Sequence, residues 1–295
     1  MTDGQILKKI KSFWQLTRLG HGFMLSIAVV IGALIVGNVF LKVYGVLLGV
    51  LAAILIEAGT FSLNDYYDIE VDRENERLDR PLVRGDIEPK TAFTTGVILT
   101  VIGVACAYFI NNWCFLIALL SALFGVAYDI KLKETGFLGN IYIAYTMAIP
   151  FLFGGMIFQN VEKGVLVLIV LSLITFLSGL GREIMKGIID VKGDSLRDVK
   201  TVARVYGIKK ARIVSITFFS MAIALSPIPF IYNLSGFRNY PYLVFVLIAD
   251  IIFIYTCIKL RSGDKGVING LRKTTIMAML FGLIAFFSGA AINWI

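Results

Sequence analysis

The chain has 295 residues, of which 58% are hydrophobic and only 16% charged, with a mean hydropathy of +0.82 and a formal net charge of +8. Soluble domains carry about 25% charged residues, so a soluble globular protein is excluded. The three cysteines (Cys106, Cys114 and Cys257) lie in apolar surroundings without CxxC spacing, and His21 is the only histidine, which argues against a zinc site and a disulfide framework.

In chain order, the first predicted element is an amphipathic segment within residues 1–18. Gln5–Thr17 mixes lysines with Ile6, Leu7, Ile10, Phe13, Trp14 and Leu16 at helical spacing, the pattern of a helix lying on a membrane surface rather than a cleavable signal. Apolar runs such as Phe23–Phe40, Val43–Ile56, Phe115–Val126 and Val165–Leu180 then read as membrane spans, each of about 20 residues. Nine are predicted: 19–38, 41–64, 90–110, 113–129, 139–158, 164–186, 210–232, 240–259 and 274–294, the seventh interrupted by Pro227 and Pro229. The expected fold is a single-domain, all-α, nine-span bundle covering 1–295, with loops capping its cytosolic side. All but three of the 28 Lys and Arg residues, namely Lys42, Lys163 and Arg238, fall on the side of the N-terminus. The positive-inside rule therefore predicts a multi-pass cell-membrane protein with its N-terminus and long loops in the cytosol. That one-sided cationic face suits anionic lipids or phosphorylated ligands, makes no case for nucleic acid, and names no obligate protein partner.

Two acid-rich helix ends interrupt the apolar pattern. After the second span comes NDYYDIEVDRENERLDRPL, in which Asn64, Asp68 and Asp72 are four apart, so each step on a helix turns about 40° and all three share one face. Asp65 lies about 100° round from Asn64 and is less well placed. After the sixth span comes GREIMKGIIDVKGDSLRD, where Asp190, Asp194 and Asp198 repeat the spacing, with Glu183 and Lys186 near the same stripe. The two stretches hint at an internal repeat. Clustered carboxylates repel unless a cation lies among them. The plainer alternative is a solvated helix end with local pairs such as Asp68 with Arg73 or Glu76 with Arg80. A hard-cation site is the other: oxygen ligands suit Mg²⁺, and two opposed acid stripes could hold two ions bridged by a diphosphate. Arg73, Arg77, Arg80, Lys131, Lys133, Arg182 and Lys186 would then neutralise the remaining phosphate charge.

Asn64-xxx-Asp68-xxx-Asp72, the following Arg77-xx-Arg80-Pro81-Leu82 and Asp190-xxx-Asp194 resemble the two signatures of the UbiA-type intramembrane prenyltransferases. The nine spans, with signature loops after the second, fourth and sixth, extend the resemblance over essentially the whole chain. Tyr128-Asp-Ile-Lys131-Leu-Lys133 resembles the family's fourth–fifth loop, which faces the diphosphate, and Arg18 stands where members carry a polar residue on the first helix. The resemblance implies an isoprenyl diphosphate bound through Mg²⁺, with Asn64, Asp68, Asp72, Asp190 and Asp194 as ligands. It also implies diphosphate departure to an allylic carbocation, capture by an acceptor, and membrane lipids as surroundings.

The block from Gly181 to Asp194, with Glu183 before Lys186 and Asp190, most resembles the family's archaeal-type ether-lipid branch. That branch moves a geranylgeranyl group to the sn-2 hydroxyl of geranylgeranylglyceryl phosphate, a lipid-like acceptor with a second phosphate. An aromatic acceptor such as 4-hydroxybenzoate remains open on composition. Glu57, two turns inside Asn64, is a candidate proton acceptor or a protonated helix–helix contact. Asp250 reads as a structural hydrogen-bonding group and His21 as an interfacial one. A secondary transporter using Glu57 and Asp250 is the rival from another class, although most acids lie at helix ends beside arginines.

Overall fold

The computed structural model describes residues 3–158, 162, 164–191, 199–263 and 265–291. Among the described residues there is no strand, and nine helices are long and apolar enough to cross a membrane. The chain is thus an all-α, multi-pass membrane protein. The elements are α1 (Asp3–Thr17), α2 (Leu19–Val36), α3 (Val43–Tyr67), α4 (Ile69–Glu74), α5 (Pro89–Tyr108), α6 (Asn112–Ile130), α7 (Phe137–Gly155) and α8 (Val165–Ile189). They continue as α9 (Val202–Tyr206), α10 (Ile208–Leu225), α11 (Ile228–Ile231), α12 (Tyr240–Ser262) and α13 (Lys265–Ala291). The seventh span is interrupted where expected: α10 stops at Leu225, and Pro227 caps the single turn of α11. The described residues divide into two compact units, Met1–Val29 with Lys42–Lys131, and Val30–Leu41 with Leu132–Ile295.

In the first unit α3 and α5 approach along a glycine seam. A Cβ on Gly59 would lie 2.3 Å from Thr100 Oγ1 and 2.8 Å from the Gly96 carbonyl oxygen, and one on Gly96 would lie 2.7 Å from Leu63. Small residues let helices touch through their backbones where lipid offers no hydrophobic drive for association. The lipid-facing sides keep large apolar residues exposed, such as Leu47, Val101 and Leu123. Local caps set the helix starts: Pro89 opens α5, and Asn111 accepts a 2.9 Å bond from the Cys114 amide to open α6.

In the second unit α8 is the central element. Leu168, Leu171, Ile184, Met185 and Ile188 are fully buried. Ser215 Oγ on α10 donates to the Gly181 carbonyl at 2.7 Å, and Phe219 stacks on Phe253 of α12 at 5.1 Å. The loop before α7 is fixed by Gly136, whose φ of +67° and 1.9 Å Cβ approach to the Lys200 carbonyl oxygen leave no room for a side chain.

Candidate functional site

The 25-residue helix α3 ends at Tyr67, and Asp68 is its C-cap, with α4 following at once. The backbone bonds Asp68 N to Asn64 O (2.9 Å) and Asp72 N to Asp68 O (2.8 Å) carry the helical pitch through the junction. Asn64, Asp68 and Asp72 therefore keep the four-residue register expected of them, with a break in the helix at the middle one. In the second unit α8, also 25 residues long, ends at Ile189 with Asp190 as its C-cap. Both signatures thus place an aspartate at the C-cap of a long helix, the middle residue of the first and the first residue of the second. At Asp190 that place is electrostatically costly, because a helix C-terminus is partially negative and disfavours a carboxylate by about 0.3–1 kcal/mol; Asp68 is also the N-cap of α4, whose start offsets that penalty. The carboxylates gathered at each of these ends call for positive charge.

Around Asn64–Asp72 that charge is arginine, and its hub is Asp65. This residue is 2% exposed and accepts from Arg18 Nη2 at 2.5 Å and Arg80 Nη1 at 2.7 Å. Arg80 Nε also lies 3.6 Å from Asp72 Oδ2, and Asp72 is itself buried. The Arg18 guanidinium rests 4.3 Å over the Phe61 ring. Arg77 makes a two-pronged pair with Asp79, both bonds 2.8 Å, which holds the Asp79 carboxyl below its usual range and raises Arg77. The pair is exposed and contributes about 0–1 kcal/mol, so its guanidinium is readily exchanged to another anion. Arg73 is exposed at the end of α4. Asn64 Nδ2 donates to Asp129 Oδ1 at 2.9 Å, tying the signature to the end of α6, where Tyr128 is half-buried and Lys131 exposed. Glu57 is half-buried on α3 two turns before Asn64, and His21 is exposed with its ring edge-on to Phe61 at 5.1 Å.

In the second unit Asp190 pairs with Arg272 of α13. About two turns earlier Glu183, 9% exposed, accepts from Arg182 Nη1 at 3.0 Å and from Lys186 Nζ at 2.9 and 2.7 Å. Lys133 lies in the short 3₁₀ turn Leu132–Thr135. Asp250 accepts a 2.5 Å bond from Ser226 Oγ, a contact from α12 to the end of α10. Asp194 and Asp198 lie outside the described residues.

Among the described residues no group of three or more His, Cys, Asp or Glu side chains forms a metal cage. Mg²⁺ needs none, because it takes one or two carboxylates and completes its shell with water and phosphate oxygens. The oxygen-only donors at Asn64, Asp68, Asp72 and Asp190 fit that demand. Sequence reading passed over Asp129 and Arg272 and gave Asp65 a lesser place. Asp129 stood inside the quoted Tyr128–Lys133 stretch. Arg272 carried no local pattern, because its partner is 82 residues away.

Residues 25–269 match the UbiA prenyltransferase family. The chain is 43% identical over 284 residues to the digeranylgeranylglyceryl phosphate synthase of Archaeoglobus fulgidus, covering 95% of this chain and 96% of that one. A solved structure concerned with digeranylgeranylglyceryl phosphate synthase in membranes superposes with a TM-score of 0.80 at 34% identity, covering 96% and 98% of the two chains. A UbiA homologue from Archaeoglobus fulgidus bound to GPP and Mg²⁺ shares the fold, with a TM-score of 0.66 at 18% identity over 93% and 99%.

Proposed function

Because the chain belongs to the UbiA prenyltransferase family, we propose that it moves a geranylgeranyl group from geranylgeranyl diphosphate to the sn-2 hydroxyl of geranylgeranylglyceryl phosphate, a step of ether-lipid synthesis. The observation that carries the chemistry is the pair of acid-rich helix ends, each with an aspartate at the C-cap of a long helix and an arginine paired with a carboxylate there, Arg80 with Asp65 and Arg272 with Asp190. The choice of acceptor is supported by the relatives named for this synthesis. The protein lies in the cell membrane, with the N-terminus and both acid signatures on the cytosolic side, as the distribution of Lys and Arg supports.

Asn64, Asp68, Asp72, Asp190 and Asp194 would hold Mg²⁺, which would supply Lewis-acid charge to the departing diphosphate. Arg73, Arg77, Arg80, Lys131, Lys133, Arg182 and Lys186 bind the remaining phosphate oxygens, and Glu183 holds Arg182 and Lys186 together through its own hydrogen bonds. Tyr128 and Arg18 add hydrogen bonds to the same head group. The allylic carbon–oxygen bond breaks, the diphosphate leaves with the electron pair, and the acceptor oxygen bonds to the allylic carbon. Its proton passes to Glu57 or to the diphosphate. Apolar spans exclude water, so the cation meets the acceptor rather than hydrolysing.

The test offers purified full-length protein geranylgeranyl diphosphate and Mg²⁺ with geranylgeranylglyceryl phosphate or 4-hydroxybenzoate, and identifies products by mass spectrometry. A doubly alkylated glycerol phosphate, absent when the metal is chelated, is expected. Prenylated hydroxybenzoate alone would overturn the acceptor, and no product with either would overturn the reading.

A further inference from the structure

Helix α1 has two chemically distinct sides. Ile6, Leu7, Ile10, Phe13 and Trp14 fall within about 120° of helix surface, and their exposures run from 42% to 69%. Lys9 and Lys11 flank that stripe, one on each side. The opposite side is fastened to the loop that follows α4. Lys8 Nζ pairs with Asp86 Oδ1 at 2.7 Å, Ser12 Oγ donates to Asp86 Oδ2 at 3.2 Å, and Arg84 Nη2 donates to Gln15 Oε1 at 2.6 Å. Leu16 is fully buried against Leu82, Ile87 and Ala92. Two residues further on, Arg18 breaks the helix with a φ of +43° and reaches Asp65, the carboxylate it shares with Arg80. The first membrane span begins at the next residue, Leu19.

We propose that α1 is a lipid-anchored strap. Its apolar stripe enters a bilayer surface bearing anionic phosphate head groups, and its other face holds the Arg77–Ile87 loop in the conformation that presents Arg77 and Arg80. The assignment of those arginines to a diphosphate rests on the function proposed above; the strap itself does not. The occupant is a lipid surface for two reasons. A helix joined to a span through one residue lies at the depth of the membrane interface. An apolar stripe edged by lysines also matches acyl chains below and phosphates beside them. Near an anionic surface each lysine strengthens binding about five-fold, from roughly 1 kcal/mol. Lipid charge is thereby transmitted along Lys8–Asp86–Arg84 and Arg18–Asp65–Arg80 to the acid signature.

The test uses the full chain in nanodiscs of phosphatidylcholine, alone or with one-third phosphatidylglycerol. A nitroxide on Ile10→Cys is compared with one on Glu76→Cys, with labelling of the native cysteines subtracted. In the anionic discs the label at position 10 is expected to be open to oxygen and shielded from a water-soluble nickel chelate, and that at 76 open to nickel. Amide exchange over residues 77–87 is expected to slow at least five-fold on adding phosphatidylglycerol, and the Lys9→Gln/Lys11→Gln double variant to lose that difference. A nickel-accessible label at position 10 in the anionic discs overturns the anchoring. Loop exchange indifferent to lipid charge overturns the strap. Neither readout depends on turnover, so failure here is separate from failure of the prenyl-transfer reading.

Discussion

Lys8, Arg84 and Ser12 converge on Asp86, and their hydrogen bonds, led by that from Lys8, hold its carboxyl down at about 2 against an ordinary 3.8. A carboxylate depressed in the folded state contributes stability that is complete above the unfolded value, near pH 4, and disappears as pH falls toward 2. The Lys8 side chain is 70% exposed, so the effect is local and screened by salt. Hydrogen exchange in detergent is therefore expected to show amides 12–17 losing protection between pH 4 and pH 2, and Asp86→Asn is expected to lose it already at neutral pH. Unchanged protection across that range would contradict the tether. Asp65 is the contrasting case: it is buried with two arginines, and removing one partner of such a cluster costs about 3–5 kcal/mol. Spacing alone ranked Asp65 below Asn64, Asp68 and Asp72, because a 100° rotation on an isolated helix says nothing about which arginines fold back over it. The same holds for Arg272 and Asp190, whose contact joins α8 to α13 and has no local signature in the chain.

At the scale of elements, the spans were legible because each is a long apolar run. Which face of each is buried was not, since these helices are hydrophobic all round and carry no usable periodicity. The glycine seams supply what periodicity could not. A Cβ on Gly59 of α3 meets the Gly96 carbonyl oxygen at 2.8 Å and the Thr100 amide nitrogen at 2.9 Å, backbone atoms that cannot rotate aside. Gly59→Ala is therefore expected to push α3 from α5, cost about 1–3 kcal/mol and lower the Tm in detergent. Gly282 of α13 has nothing within 4 Å of a Cβ, so Gly282→Ala is expected to match the parent protein or exceed it by up to about 1 kcal/mol. Equal Tm values for the two variants would contradict the seam. The helix ends were partly legible: the acid registers marked where α3 and α8 leave the apolar run. That both stop with an aspartate as C-cap is a matter of backbone angles, φ −92° and ψ 0° at Asp68 and φ −85° and ψ 6° at Asp190. Composition does not encode those.

For the molecule as a whole, composition and the acid signatures led to a nine-span helical membrane protein of the UbiA kind, and the fold and family agree with that expectation. The reason is physical: a bilayer admits few architectures, and a chain this apolar has little freedom in how it crosses one. The ligand roles of individual carboxylates do not follow from the fold in the same way, because they depend on the metal and diphosphate they are proposed to hold. The most direct measurement is the initial rate of geranylgeranyl transfer for Asp68→Asn, Asp190→Asn and the double variant, with folding in detergent checked by size-exclusion profile and Tm. If both aspartates act on one departing diphosphate, each single variant loses about 100-fold or more, and the double variant loses much less than the product of the two. Full activity in both folded single variants would contradict the account.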